Sequence, residues 1–313
     1  PHVGDIVNEI LPPIIKGPGK VFNGVSANYY NDALKLSIVR SEPNITLLLN
    51  HRVVKVETEA DVIKAIVIQS TLTSRQTRIK GKLFSDCTGD GSIGFKAGAD
   101  YEYKVEQLMG SSNLFNVLDA SNSEEVLACE CKDKSALAMK CEQGNFEQPF
   151  PRCPWALDLS DKPFPGRKGQ KTFGKEGLDS FANQWYWESG FNKDQVNEIE
   201  LIRDHNFRAM YGAWDVIKNV DNMYPKHRLG WVAYIAGKRE SRRLMGDVVL
   251  DAQDFKQKRK FEDGAFPCSW HVDPHTPKNE FKEGFENMEF VSDYTRGEEY
   301  QYGGEYWAPY RTL

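Results

Sequence analysis

Apolar and polar positions follow a two-residue period in three consecutive runs near the start of the chain: "RVVKVET" (52–58), "VIKAIVIQS" (62–70) and "RQTRIKG" (75–81). Such alternation marks half-buried strands. The links between them, "EAD" and "LTS", are too short for anything but hairpin turns, so the spacing predicts a three-stranded antiparallel meander. Two different runs flank it. "ITLLLN" (45–50) and the start of "KLFSDCT" (82–88) are continuously apolar, the pattern of strands covered on both faces. Ahead of these, Tyr29, Ala33, Leu36 and Ile38 form an imperfect helical stripe between Asn28 and Val39, which "SEPN" ends.

Further along, the period lengthens. In "KDQVNEIELIRDHNFRAMYGAWDVIKNV" (193–220), Val196, Ile199, Ile202, Phe207, Met210, Trp214 and Ile217 recur at helical steps, with Asn192 as the expected cap. "GWVAYIAG" (230–237) reads as a buried strand. Residues 119–180 are loop-rich, and the C-terminal part is aromatic and polar with few periodic runs. This order is not a repeating βαβ pattern. It predicts a mixed α/β (α+β) fold: a parallel sheet whose crossover is the meander, followed by a larger mixed unit. The expected division is a first domain over 1–100 and a second over 101–313.

Composition narrows the function. The 313 residues carry 40 basic and 45 acidic side chains, a formal net charge of −5, with no basic block of the kind a nucleic-acid partner selects. No stretch approaches the roughly 18 apolar residues of a membrane span. Cys129-x-Cys131 with Cys141 lacks the paired spacing of a zinc or iron–sulfur site, so free thiols are expected. Neither a G-x-S-x-G elbow nor a Walker loop is present.

Gly89, Gly91 and Gly94 are spaced as G-x-G-x-x-G. A dinucleotide fingerprint places that spacing at the first strand–helix turn, with an acid about 20 residues on. Here it follows the meander, opens a helix of about two turns ("SIGFKAGA"), and leads to "LMGSSNLFNV", which has no acid at a strand end. The direct fingerprint is therefore rejected. What remains is a strand delivering Asp86, Thr88, Gly89, Asp90 and Gly91 to a sheet edge, where backbone N–H groups favour an anion or a cofactor edge. Capping of a turn and a helix accounts for the two aspartates equally well.

The segment "DCTGDGSIGFKAGADYE" resembles the D-A-T-G-D-G segment of FAD-dependent oxidoreductases with a glutathione-reductase-like FAD fold, distantly similar to the flavoprotein subunit of heterodisulfide reductase. "QWYWESG" (184–190), "GKRESRRLMGD" (237–247) and "YWAPYRTL" (306–313) resemble three further segments of that family, in the same order. The resemblance implies FAD as cofactor, with Asp86, Thr88, Gly89, Asp90 and Gly91 beside it and Val53 on an adenine-side strand. It implies hydride transfer between FAD and a small organic or sugar-like substrate, with an unidentified electron acceptor. That family's pyrophosphate loop and last flavin-side strand have no counterpart in these residues. The chain is thus expected to be an interior part of a longer protein that binds FAD weakly by itself.

Catalytic candidates are Arg239, Arg242, His271, Tyr310 and Arg311. If "RESRR" opens a helix, Arg239 and Arg243 share a face, and a guanidinium fork there suits a carboxylate or phosphate; pairing of Glu240 with Arg243 is the plainer alternative. His271, Asp273 and His275 alternate and would line one side of an extended chain, although Pro274 and Pro277 favour a turn. Trp185, Tyr186, Trp187 and Glu188 suit either a stacking platform or packing. Two other functions stay open: a non-catalytic, carbohydrate-directed binding module, and a metal-dependent hydrolase built on His271, Asp273 and His275.

Overall fold

The structure, a computed structural model, describes residues 32–119, 147–171, 174–182, 187–268, 273–282, 285, 288–294 and 306–312. Its class is mixed α/β. Helix α1 (Asp32–Ser41) precedes β1 (His51–Glu59), β2 (Val62–Ser70) and β3 (Gln76–Lys80), which form an antiparallel sheet in the order β1-β2-β3. Val53 lies on β1 opposite Ile68. The meander therefore stands where the alternation placed it.

The flanking strands differ from expectation. Residues 45–50 and 82–88 join no ladder, and all strand pairs among the described residues are antiparallel. Ile45, Leu47, Leu48 and Leu49 are exposed, and Leu83 is 93% exposed. The apolar composition of these runs is that of doubly covered strands, but a parallel strand exists only where a neighbour supplies its hydrogen bonds. None of the described residues does so here.

Next come α2 (Ser92–Ala97), β4 (Tyr101–Glu102), β5 (Ser111–Ser112), β6 (Phe115–Asp119), α3 (Gly177–Phe181), β7 (Glu188–Ser189), α4 (Ile199–Asp215), β8 (His227–Val232) and β9 (Arg243–Leu244). The chain continues through α5 (Ala252–Lys256), β10 (Gly264–Cys268), β11 (His275–Pro277), β12 (Ser292–Tyr294) and β13 (Tyr306–Pro309). Two-stranded pairings tie distant segments: β4 with β9, β5 with β7, β6 with β8, β10 with β13 and β11 with β12. The buried strand expected over 230–237 ends at Val232, and Tyr234 and Ile235 are exposed.

The principal core forms around α4. Ile202, Ala209, Met210, Ala213 and Trp214 are buried on it, and Trp214 stacks on Phe181 with centroids 5.3 Å apart. Phe115, Phe164, Trp187, Phe281 and Phe290 complete an aromatic cluster. Trp187 donates its indole N–H to Phe181 O at 2.7 Å, which makes it core and not a stacking platform. Asn192, the expected cap, instead occupies the left-handed region with φ 58. The helix begins later because Asp194 collects the N–H groups of Val196 and Asn197, each at 2.9 Å, in a turn of its own.

Asp194 also accepts the Tyr103 hydroxyl at 2.8 Å. Burial alone would raise its carboxyl, but the Asn197 N–H, the Tyr103 hydroxyl, the Asn197 side chain and the Val196 N–H outweigh burial and hold it at about 2. Burial and this carboxylate push Tyr103 up to about 12. A depressed folded-state value means that Asp194 contributes stability above its ordinary value of 3.8. That contribution is lost as pH falls toward 2. Thermal unfolding of the native protein and Asp194→Asn at pH 6, 4 and about 2.5 tests this. The native protein should lead at pH 6 and the gap should close at the acid end. A gap independent of pH would show that the carboxylate is not ionised by these bonds.

Candidate active site

Asp86 organises the glycine turn. Its Oδ1 accepts the Thr88 N–H (3.1 Å) and hydroxyl (2.7 Å), and its Oδ2 accepts the N–H groups of Ile93 (2.7 Å) and Gly94 (3.0 Å) at the start of α2. Burial opposes ionisation, but the hydroxyl and the three N–H groups lower the carboxyl below its usual range. Thr88 Oγ1 in turn accepts the Ser92 N–H at 2.9 Å. Both side chains are thus committed to shaping the turn.

The glycines have separate reasons. Gly89 (φ 83) and Gly91 (φ 58) occupy the left-handed region. A Cβ on Gly91 would lie 2.9 Å from the Leu244 side chain, and Leu244 also presses on Gly94. The last two glycines of the motif are therefore small because β9 packs on them. Gly89 differs: nothing lies within 4 Å of where its side chain would begin.

The segment 237–244 is extended, not helical. Gly237 exchanges backbone hydrogen bonds with Ser112 on β5, whose other partner is β7. That register delivers residues 238 and 239 between the glycine turn and Glu188. Lys238 Nζ reaches Asp90 Oδ2 at 2.6 Å, and Arg239 Nε reaches Glu188 Oε1 at 2.5 Å. Glu240 accepts the Met109 N–H at 2.9 Å and pairs with Arg243 at 2.5 Å. Arg242 donates to Asp90 O at 3.1 Å and lies over the Phe95 ring, 4.2 Å from its centroid. The pairing of Glu240 with Arg243 holds, but the helical geometry expected for it does not, because the bridge at Gly237 keeps the backbone extended.

Beyond Arg239 lies a second cluster. Glu188 is fully buried, and its Oε2 meets His275 Nδ1 at 2.7 Å. His275 Nε2 is 3.5 Å from Asp273 Oδ1, and Arg239 Nη1 is 3.9 Å from Asp273 Oδ2. Pro274 does not separate Asp273 from His275, whose side chains meet at 3.5 Å, and Pro277 lies within β11, paired with Ser292. His271, Trp185, Tyr186 and the cysteines at 129, 131 and 141 lie outside the described residues. Among the described residues no group of three or more ligating side chains has the geometry for a metal ion.

Arg311 does not join this cluster: its guanidinium forks onto Asp263, with both bonds at 3.0 Å. Tyr310 is exposed beside it. Arg239, Arg242 and the turn residues are thus brought together, while Arg311 is held by another loop. Lys238 was not singled out from sequence, Glu188 entered only with the aromatic run, and Asp273 and His275 only as possible metal ligands with His271. The available signal was a lone acid closing an aromatic run in "WYWESG" and a lysine opening the basic run.

A family model for FAD dependent oxidoreductases matches residues 21–313. The chain belongs to the FAD dependent oxidoreductase family. No curated protein and no solved structure matches it. As a member, it has a flavin-dependent oxidoreductase function and FAD as its cofactor. The turn suits such a group. Among the described residues no acceptor meets the backbone N–H groups of Gly89, Asp90 and Gly91, and Gly89 leaves open space on its outer side. Three adjacent N–H donors beside Lys238 form a surface for a cofactor's polar edge. No helix among the described residues is long and apolar enough to cross a membrane.

Proposed function

We propose that this oxidoreductase moves hydride between FAD and a small organic or sugar-like substrate, with residues 1–100 forming part of the flavin wall and 101–313 the substrate side. One observation carries the reading: segment 237–244 joins the glycine turn to the buried acid, Lys238 to Asp90 and Arg239 to Glu188, within two successive residues. Two polar clusters from distant parts of the sequence thereby share one edge.

The flavin supplies hydride chemistry when bound. Gly89, Asp90 and Gly91 would hold it through backbone N–H groups, with Thr88 and Asp86 fixing the turn. Val53 is proposed for the adenine side on the family resemblance alone. Lys238 neutralises Asp90 and keeps that rim from repelling phosphate. Arg242, stacked on Phe95, holds the turn through the Asp90 carbonyl. Arg239 presents its outer nitrogens toward Asp273, and Arg239, Arg242, His271, Tyr310 and Arg311 remain the candidates for contact with substrate. The glutathione-reductase-like arrangement rests on the sequence resemblance and the observed meander.

Weak FAD affinity is expected for the 313-residue chain alone, since three N–H groups and one lysine are a small contact set for a dinucleotide. Titrating the purified chain with FAD and following flavin fluorescence checks this. Weak, saturable quenching abolished by Gly89→Val supports the turn as the contact. Stoichiometric yellow protein would overturn the expectation of weak binding, and quenching unaffected by Gly89→Val would remove the turn from the cofactor site. A carbohydrate-binding module is less well served, because Trp187 is spent in the core.

A further inference from the structure

Glu188 and Ser189 on β7 serve different neighbours. Glu188 meets Arg239 and His275, whereas Ser189 donates its hydroxyl to Asn206 Oδ1 on α4 at 2.5 Å. Successive residues of a strand point to opposite faces. On the Ser189 side, a cavity of about 320 Å³ lies between the 189–193 turn, residues 201–208 of α4 and Met288. That is the lower end of the roughly 300–1,000 Å³ of small-molecule sites. Neither the glycine turn nor Arg239, Glu188 and His275 contribute to its lining.

Its floor is apolar and already formed. Gly190 has φ 81, and a Cβ there would come within 2.5 Å of Ile202, so bare backbone packs on a buried isoleucine. Leu201 and Met288 line the sides and are 67% and 41% exposed. His205 ties Met288 to the helix, its Nε2 meeting Met288 O at 2.8 Å and Glu289 O at 3.1 Å. Carbonyls only accept, so this nitrogen donates, and burial holds the imidazole below its usual pKa. The ring lines the cavity without adding charge.

The charged groups of the lining are not equivalent. Glu198 accepts the Asp194 N–H at 2.9 Å, and Asp204 accepts two guanidinium N–H groups of Arg203, at 3.0 and 2.8 Å. Both acids are thus engaged. Of the two cations, Arg208 uses its Nε on Trp155 O at 3.2 Å, which leaves its outer nitrogens. Lys193 Nζ meets no hydrogen-bond or ion-pair partner among the described residues. Two cationic heads with donors to spare therefore border an apolar floor.

We propose that this cavity is a binding site for a small monocarboxylate with an apolar body, a single ring or a short chain. Lys193 and Arg208 hold the carboxylate, and the body lies on Ile202 between Leu201 and Met288. The site needs no flavin, so its failure would leave the oxidoreductase reading untouched.

Isothermal titration of the 313-residue chain with phenylacetate and hexanoate tests it, with phenylacetamide as the uncharged probe and acetate as the probe without an apolar body. Both acids should bind saturably, roughly 10-fold tighter than the amide, since hydrogen bonds to a charged group are the stronger kind. Acetate should bind more weakly than either. A Lys193→Met, Arg208→Met double variant should lose the preference for acid over amide. Leu201→Glu, at an exposed position, should weaken both acids roughly 10-fold or more by setting a like charge beside the carboxylate. Amide shifts induced by phenylacetate in the native chain should centre on Gly190, Lys193 and Leu201. No saturable binding of either acid, equal affinity for acid and amide, or affinity unchanged in the double variant would overturn the proposal. So would shifts centred on the glycine turn at 86–91.

Discussion

Trp214→Ala is expected to destabilise the protein by about 3–5 kcal/mol, the range for deleting a large aromatic from a packed core. Trp214 is fully buried, stacks on Phe181 at 5.3 Å and meets Phe150 edge-on at 6.4 Å. The alanine variant opens a void that α4 and the 177–181 helix, each held by other contacts, have little freedom to close. A control follows from the indole N–H, which is buried and meets no acceptor among the described residues. Trp214→Phe keeps most of the ring area and removes that unsatisfied donor, so it should cost far less, about 1 kcal/mol. Equilibrium denaturation of the three proteins decides the matter. Equal losses for Ala and Phe would mean that the ring is not packed as described.

The second large effect is at Glu188. Glu188→Ala should cost about 3–5 kcal/mol, because it leaves Arg239 without its buried carboxylate partner and removes the carboxylate that His275 Nδ1 faces. Here the loss comes from uncompensated polar groups more than from missing volume. Removing both charges is therefore the informative comparison. A Glu188→Leu, Arg239→Met double variant should recover much of the stability while remaining inactive, since an apolar pair of similar size replaces a buried ion pair at little net cost. Thermal unfolding together with a double-mutant cycle measures this. Single variants that cost under 1 kcal/mol would show that the pair is solvated and not the pivot described above.

Several elements were legible in the sequence because their causes are local. The meander over 51–80 is dictated by alternation and short turns, and the stripe from Ile202 to Ile217 by helical spacing. The glycine turn was legible as a turn, and its rejection as a dinucleotide fingerprint agrees with Leu244 packing on Gly91 and Gly94. The family was legible too, in four motifs spread along the chain, and the family match spans them.

Other features lay beyond local pattern. "ITLLLN" and "KLFSDCT" have strand composition but no ladder among the described residues, because hydrogen-bonding partners are a property of neighbours and not of a segment. "RESRR" carries a helical charge pattern, yet the bridge from Gly237 to Ser112 keeps it extended. Asn192 has the composition of a cap, but Asp194 reached the free N–H groups first.

The sequence by itself determined the class of fold, the meander, the core face of the long helix and the membership of a flavin enzyme family, since periodicity and motif spacing are carried by contiguous residues. Only the tertiary structure decided that Glu188 is the pivot between Arg239 and His275. Those three residues lie on separate strands and loops, and a buried acid reveals its partners only when β5 aligns β7 with Gly237 and β12 holds β11 beside them.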